Sequence, residues 1–254
     1  MILPSMTWKE MYDGLAQDAE KVQIRIDKTY PKAVKFFKKS KSFPTWYIDE
    51  YKIPATNNQY IIFYYAGNAS EIEKPHYTSF SFVFNGKQRF VLRGMQMGYR
   101  HTPKCEIVML PQIHAYTSHF FQRYNERFLH KEVLTPNEIA GLFLLRNPIP
   151  MPVMLNEEVN KNFKEHGAHN DRGMRVQDGF CFTRTAIEGE ESEDGIHEHD
   201  RVDAMLILYT TFMNEADMSD TQRAAIDKEH FETLKRCMEE LQNMYGKVNS
   251  GTIL

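Results

Sequence analysis

Apolar positions in the first forty residues recur every three to four places. Val22, Ile26, Ala33 and Phe37 mark one side of a helix, and Thr7 with Glu10 sets a reciprocal cap at its start. Pro31 lacks an N–H and crowds the preceding turn, so the pattern predicts two helices, near 7–29 and 31–40. The period then changes. QYIIFYYA, residues 59–66, is an apolar run of strand length. SFSFVFNGKQRFVLRG, 79–94, predicts a hairpin around Asn85-Gly86. CEIVMLPQIHAYTS, 105–118, reads as extended, with Pro111 marking a sheet edge or a break.

Two helices are expected next. The first covers about 118–130. The second starts at Thr135-Pro136-Asn137-Glu138, which combines a cap, a first-turn proline and a capping-box glutamate. It ends near Asn147-Pro148. A second hairpin is expected over 173–187 around Asp178-Gly179, then a central strand over AMLILYTTFM, 204–213. Ser219 with Gln222 caps a final amphipathic helix, about 219–245. No regular alternation of strand and helix appears, so the fold class is α+β: helices packed on an antiparallel sheet. The expected division is 1–112, a region of basic helices and a hairpin, and 113–254, helix–helix–antiparallel sheet with a C-terminal helix.

Composition narrows the classes. Of 254 residues, 42% are hydrophobic and 13% aromatic, enough for a core. The net charge of -3 gives the whole chain no pull toward nucleic acid. Cys105, Cys181 and Cys237 lack disulfide or metal spacing and read as core residues. No apolar run reaches membrane-spanning length and no signal peptide is read, so a cytoplasmic protein without membrane association is expected.

Local charge changes the picture. Residues 21–41 hold eight basic side chains against one acid, Asp27, and residues 188–203 hold eight acids against one base, Arg201. In YPKAVKFFKKSKSFPTWY, lysines such as Lys35, Lys38 and Lys39 can meet phosphate. Phe36, Phe37, Trp46 or Tyr47 can stack on bases. Phe36 and Phe37 can equally be the buried side of a lysine-rich helix. The acidic segment could fold back over this region and mask it.

HFFQRYNERF, 119–128, carries the candidate chemistry. On a helix of 100° per residue, His119, Arg123 and Arg127 form a row on the border of the aromatic side made by Phe120, Phe121, Tyr124 and Phe128. Arginine forks suit phosphate, and histidine can move a proton near neutral pH. Metal-free RNA cleavage needs such a set: a base for the 2′-OH, cations for the charged intermediate and an acid for the leaving oxygen. The same residues also allow a plain reading, with His119 capping the helix and the arginines paired to Glu126 or Glu132.

The run Y-T-S-H, Arg at +4 and +8, L-T-P-x-E-I, an apolar helix and N-P resembles toxin-type ribonucleases of the barnase–EndoU–colicin–RelE superfamily, specifically families with H-x3-R-x3-R on the first of two helices. The resemblance covers about 113–213. It implies that His119 is the general acid or base and that Arg123 and Arg127 clamp phosphate. It further implies a strand-borne donor at Thr211, beside Thr210, and another clamp at Arg184, with no metal or cofactor. The function expected is RNA cleavage or RNA binding, with RNA and a protein inhibitor as partners. The alternative is a non-enzymatic mobile-element or phage protein using the same fold as an interaction scaffold. A third option is a metal site at His197, His199 and Asp200, and His166 and His169 are a weaker pair of the same kind.

Overall fold

The computed structural model describes residues 1–99, 108–131, 133–154, 172–191 and 199–224, with a few positions of the helix that follows. The chain is α+β. One helix, α1 (Trp8–Phe37), precedes a nine-stranded sheet, and α2 (Ser118–Tyr124) and α3 (Pro136–Arg146) lie between its two halves. The strands are β1 (Thr45–Lys52), β2 (Gln59–Ala66), β3 (His76–Asn85), β4 (Gln88–Tyr99), β5 (Val108–Thr117), β6 (Met151–Met154), β7 (Arg172–Val176), β8 (Gly179–Glu191) and β9 (His199–Asn214). Their spatial order is β1-β2-β3-β4-β5-β9-β8-β7-β6. Two antiparallel meanders therefore meet edge to edge, and the meeting pair, β5 with β9, is parallel. The chain between this parallel pair is long, as such a pair requires: α2 and α3 lead from β5 to β6 at the far edge, and β7 and β8 return to β9.

The expected division at residue 112 falls inside β5, which pairs with β4 on one side and β9 on the other. The two stretches share one sheet and one core. Pro111 is also not at a sheet edge. It sits opposite Gln96 of β4, one residue before the β9 ladder begins at Gln112, where a missing N–H costs that ladder nothing.

The first helix corrects another expectation. It is continuous for 30 residues, with Pro31 inside it. Ala33 and Phe37, beyond the proline, are fully buried on the sheet. Pro31 itself is exposed, so the carbonyl it leaves without a partner can face water. Tertiary burial of the last two turns outweighs the local break. The expected cap formed as read: Thr7 and Glu10 bond reciprocally.

The first hairpin closes with Asn85 paired to Gln88, so its loop is Gly86-Lys87, one place later than expected. Gly86 takes φ +60, which suits glycine. The second hairpin turns at Gln177-Asp178, with Val176 opposite Gly179. Ser219 and Gln222 form the expected reciprocal cap, and residues 220–224 are helical. Most of the rest of the helix expected to 245 lies outside the described residues.

Side chains alternate across each strand, so the sheet has two distinct faces. On one face, α1 packs on Tyr60, Ile62 and Tyr64 of β2 and on Ile113 and Ala115 of β5. On the other, α2 and α3 bury Phe120, Phe121, Tyr124, Phe143 and Leu144 against Ile61, Phe80, Tyr116, Ile207 and Tyr209. Gly141 lets α3 lie on the Phe63 ring, since a Cβ there would come within 2.3 Å of it. No described helix is long and apolar enough to cross a membrane.

Candidate functional site

The helix carrying His119, Arg123 and Arg127 starts on Thr117, whose hydroxyl accepts the Phe120 N–H at 3.0 Å. Thr117, not His119, is therefore the cap. Phe120, Phe121 and Tyr124 are buried, as the projection predicts. The helix widens after Tyr124 into a π-helical turn, Asn125–Leu129, closed by His130 N–H on Asn125 O at 2.7 Å. That turn redirects Arg127.

The three members of the row then have different fates. His119 is exposed and its side chain makes no hydrogen bond among the described residues. Arg123 pairs with Glu126 on its own helix at 2.8 Å, the plain alternative allowed by the sequence. Arg127 Nη1 donates to the backbone carbonyl of Phe212 at 2.6 Å, and Asn214 returns a bond to Arg127 O at 2.8 Å. One arginine thus fastens the π turn to the end of β9.

Thr211 and Arg184 do not join this row. The register slips between Phe182 and Thr183, leaving Thr210 as the extra residue of a bulge, its hydroxyl on Phe182 O at 3.1 Å. The bulge puts Tyr209 and Phe212, three apart, on the same α2 face. Thr211 therefore shares the opposite face with Met213, which packs with Phe180 and Phe182. Arg184 alternates with the same set: Phe182 precedes it, and Glu188, four residues on, accepts the Lys9 N–H of α1 at 3.0 Å. Both candidates belong to the α1 face, across the sheet from His119.

Beneath α2 lies a carboxylate centre that the sequence did not reveal. Asp178 is 5% exposed. It accepts from Tyr124 Oη at 2.7 Å, from Arg146 Nε and Nη2 at 2.9 and 2.6 Å, and from Asn147 Nδ2 at 2.9 Å. Burial and the Asp178 charge push the Tyr124 phenol well up, and the carboxylate holds the Arg146 guanidinium firmly charged. These donors converge on the Asp178 carboxylate, so it joins α2, α3 and the β7–β8 turn, while the Arg146 side chain stays 41% exposed. The sequence signal was Asp178 beside Gly179, read there as turn chemistry alone.

His114 was also missed. It is 2% exposed, its Nδ1 shares a 2.9 Å hydrogen bond with Tyr209 Oη, and its Nε2 lies 3.2 Å from Gln112 Oε1. Burial, helped by the Arg93 charge, lowers it to about 3, so the ring is neutral. Gln112, His114 and Tyr116 alternate with Ile113 and Ala115, which reads as a solvated side, but both faces of β5 are covered. Cys181 is buried with its thiol pushed up by desolvation, a core residue as expected.

The basic stretch keeps its charge free. Lys28, Lys32, Lys35 and Lys39 are exposed and form no ion pair among the described residues. At 100° and 1.5 Å per residue Lys28, Lys32 and Lys35 fall within about 60° over about 10 Å, a single stripe, and Lys39 follows in the turn just beyond the helix. Lys38 differs, being 2.7 Å from Glu73. Beside the stripe runs β1, a strand not foreseen and the edge of the sheet. Phe36 is 44% exposed, and its ring centre is 5.6 Å from that of Tyr47. Arg25 bonds Asp49 through two nitrogens at 2.7 and 2.8 Å and lies 5.3 Å from the Tyr51 ring centre. Phe37 is buried, so the two phenylalanines divide the roles left open by the sequence, and Trp46 is held against α3 by Glu138 at 2.7 Å.

Glu188 caps the opposite end of α1, and Lys35 lies 26 residues beyond Lys9, about 39 Å away. Residues 192–198, including His197, lie outside the described residues, as do His166, His169, Cys105, Cys237, Glu132 and the side chains of His199 and Asp200. Among the described residues no cluster of three His, Cys, Asp or Glu could hold a metal ion. No protein-family model, curated protein or solved structure matches the chain.

Proposed function

We propose that the protein binds single-stranded RNA along α1 and β1, without a built cutting centre. The observation that carries this reading is the stripe Lys28–Lys32–Lys35, continued by Lys39 in the turn beyond, four exposed cations with no ion pair among the described residues, beside the exposed edge of Phe36 and Tyr47. Lys28, Lys32 and Lys35 rise by about 4.5–6 Å from one to the next along the helix, a spacing that suits consecutive phosphates, and ring faces accept any base. The dipole of α1 places partial negative charge at this end, which favours lysines here. Cleavage has less support, because Arg123 and Arg127 are engaged and Thr211 and Arg184 belong to the other face.

One assay tests both readings. A labelled 12-nucleotide RNA is titrated in EDTA at 50 to 200 mM KCl, and its anisotropy and length are followed. Four phosphate contacts give a slope of log K on log salt near about -3. Replacing Lys28, Lys32, Lys35 and Lys39 together by glutamate should cost at least roughly 100-fold and flatten that slope. Phe36→Ala should weaken binding by roughly five- to tenfold, the lower end of a lost base stack. Binding that is absent at millimolar protein, or indifferent to the lysine changes, rejects the reading and turns the search to protein partners. The exposed His119 keeps the second reading open to the same experiment: shortening of the RNA that disappears in His119→Ala would replace binding by cleavage.

A further inference from the structure

We infer that the groove beneath the middle of α1 binds a neutral, partly polar small molecule with a flat ring body. It is separate from the lysine stripe and does not rest on the RNA reading. The sheet-facing side of α1 packs in two clusters. One joins Met11 and Leu15 to Leu92, Ile113 and Ala115, and the other joins Val22, Ile26, Ala33 and Phe37 to Tyr60, Ile62 and Tyr64. Between them opens a groove of about 580 Å³.

Residue size makes the gap. The helix lines the groove with the small Ala16 and Ala19 beside the larger Leu15 and Val22, and the floor presents Ser79, Ser81 and Gly94. Ala16 and Ala19 are exposed although they line a groove between the helix and the sheet. A helix–sheet interface normally fills such space, because unfilled volume costs stability. Here five small positions coincide across three elements. From Lys28, the groove residues Ala16, Ala19 and Gln23 project about 120–180° around the helix, on the far flank.

The lining defines the guest. Tyr12, Tyr60 and Tyr77 supply ring walls, and Tyr77 is 43% exposed. Ser81 donates to Gln59 O at 2.9 Å and is occupied, whereas the Ser79 hydroxyl makes no hydrogen bond among the described residues and can serve a ligand. Among the described residues Arg93 is the sole charged one in the lining, and its guanidinium donates away from the groove to Pro148 O at 3.1 Å. With no ionised group turned inward, a phosphate or carboxylate would lose its hydration uncompensated. A neutral ring with one or two polar atoms would not. The volume is that of a drug-sized ligand site.

The test uses 1-aminoanthracene, a neutral three-ring fluorophore, on the full chain. Its emission should rise and shift to the blue with a Kd of roughly 10 µM. Ala19→Leu and, separately, Ser79→Leu should weaken binding at least tenfold while leaving the Tm unchanged or higher, because they fill open space. Ala16→Met supplies a third filling variant if either fails to fold. The anionic probe 8-anilinonaphthalene-1-sulfonate should bind at least tenfold more weakly. No binding of 1-aminoanthracene at 200 µM, full binding in folded filling variants, or equal affinity for the sulfonate would each overturn the inference.

Discussion

The two faces of the sheet are built on opposite principles. Under α2 and α3, rings interlock: Tyr116 lies 4.1 Å from Tyr209 and Phe120 4.9 Å from Phe143, centre to centre. Polar groups there are spent on one another, with Asp178 gathering Tyr124, Arg146 and Asn147. Under α1, packing is interrupted by a groove, and the helix turns to solvent a row of lysines with no ion pair among the described residues. Charge that looks chemical in the sequence thus divides into charge consumed by the fold and charge left over. The difference is decided by whether a neighbouring element supplies a partner.

The sharpest way to break this comparison is at Asp178. Asp178→Ala removes the common acceptor and leaves the Tyr124 hydroxyl and the Asn147 amide buried without it. Loss of one partner from a buried ionic network costs about 3–5 kcal/mol, read as the shift in urea unfolding. Lys28→Ala or Lys32→Ala, exposed on α1, should change stability by less than about 0.5 kcal/mol. If Asp178→Ala cost no more than the lysine changes, the two faces would not differ as described.

Much of the fold was legible. Caps at Thr7 and Thr135 were complete in the local sequence, because their partners lie three residues away. The strand at 59–66 was legible because a fully covered strand is apolar throughout. Long-range facts were not. Pro31 was read by its local penalty, while the burial of Ala33 and Phe37 that overrides it depends on a sheet formed later. β1 was missed because TWYIDEYK sets Trp46, Tyr47 and Ile48 in one run and Asp49 and Glu50 in another, without a period of two, and its Asp49 serves Arg25, 24 residues away. The candidate row followed the same rule. Its aromatic border was visible in the helical period, but the bulge at Thr210 and the π turn, which set where Thr211 and Arg127 go, carry no local signature.

His114 tests whether the α2 face is as dry as its packing implies. Its folded value, about 3, lies below the 6.5 of an unfolded histidine. The unfolded chain therefore takes up a proton below pH 6.5 that the folded chain refuses. The stability tied to this group is fully present above pH 6.5 and is lost as pH falls toward 3. One proton of difference gives about 1.4 kcal/mol per pH unit, or about 2 kcal/mol between pH 6 and 4.5. His114→Gln cannot titrate and keeps a polar group for Tyr209, so its stability should fall less over that interval by this amount. Parallel curves for the two proteins would mean that water reaches the ring.

The smallest effects separate the members of the His–Arg–Arg row. Arg127→Ala leaves the Phe212 carbonyl without its charged donor and loosens the π turn, costing about 1–2 kcal/mol. Arg123→Ala breaks an exposed pair with Glu126 and should cost no more than about 0.5 kcal/mol. His119→Ala removes an exposed side chain and should cost next to nothing. A catalytic row would behave otherwise: its members would be interchangeable in stability and alike in their loss of RNA cleavage. A graded loss of stability from Arg127 to His119, with RNA affinity unchanged in all three, would assign the row to the architecture of the α2 face and leave nucleic acid to α1.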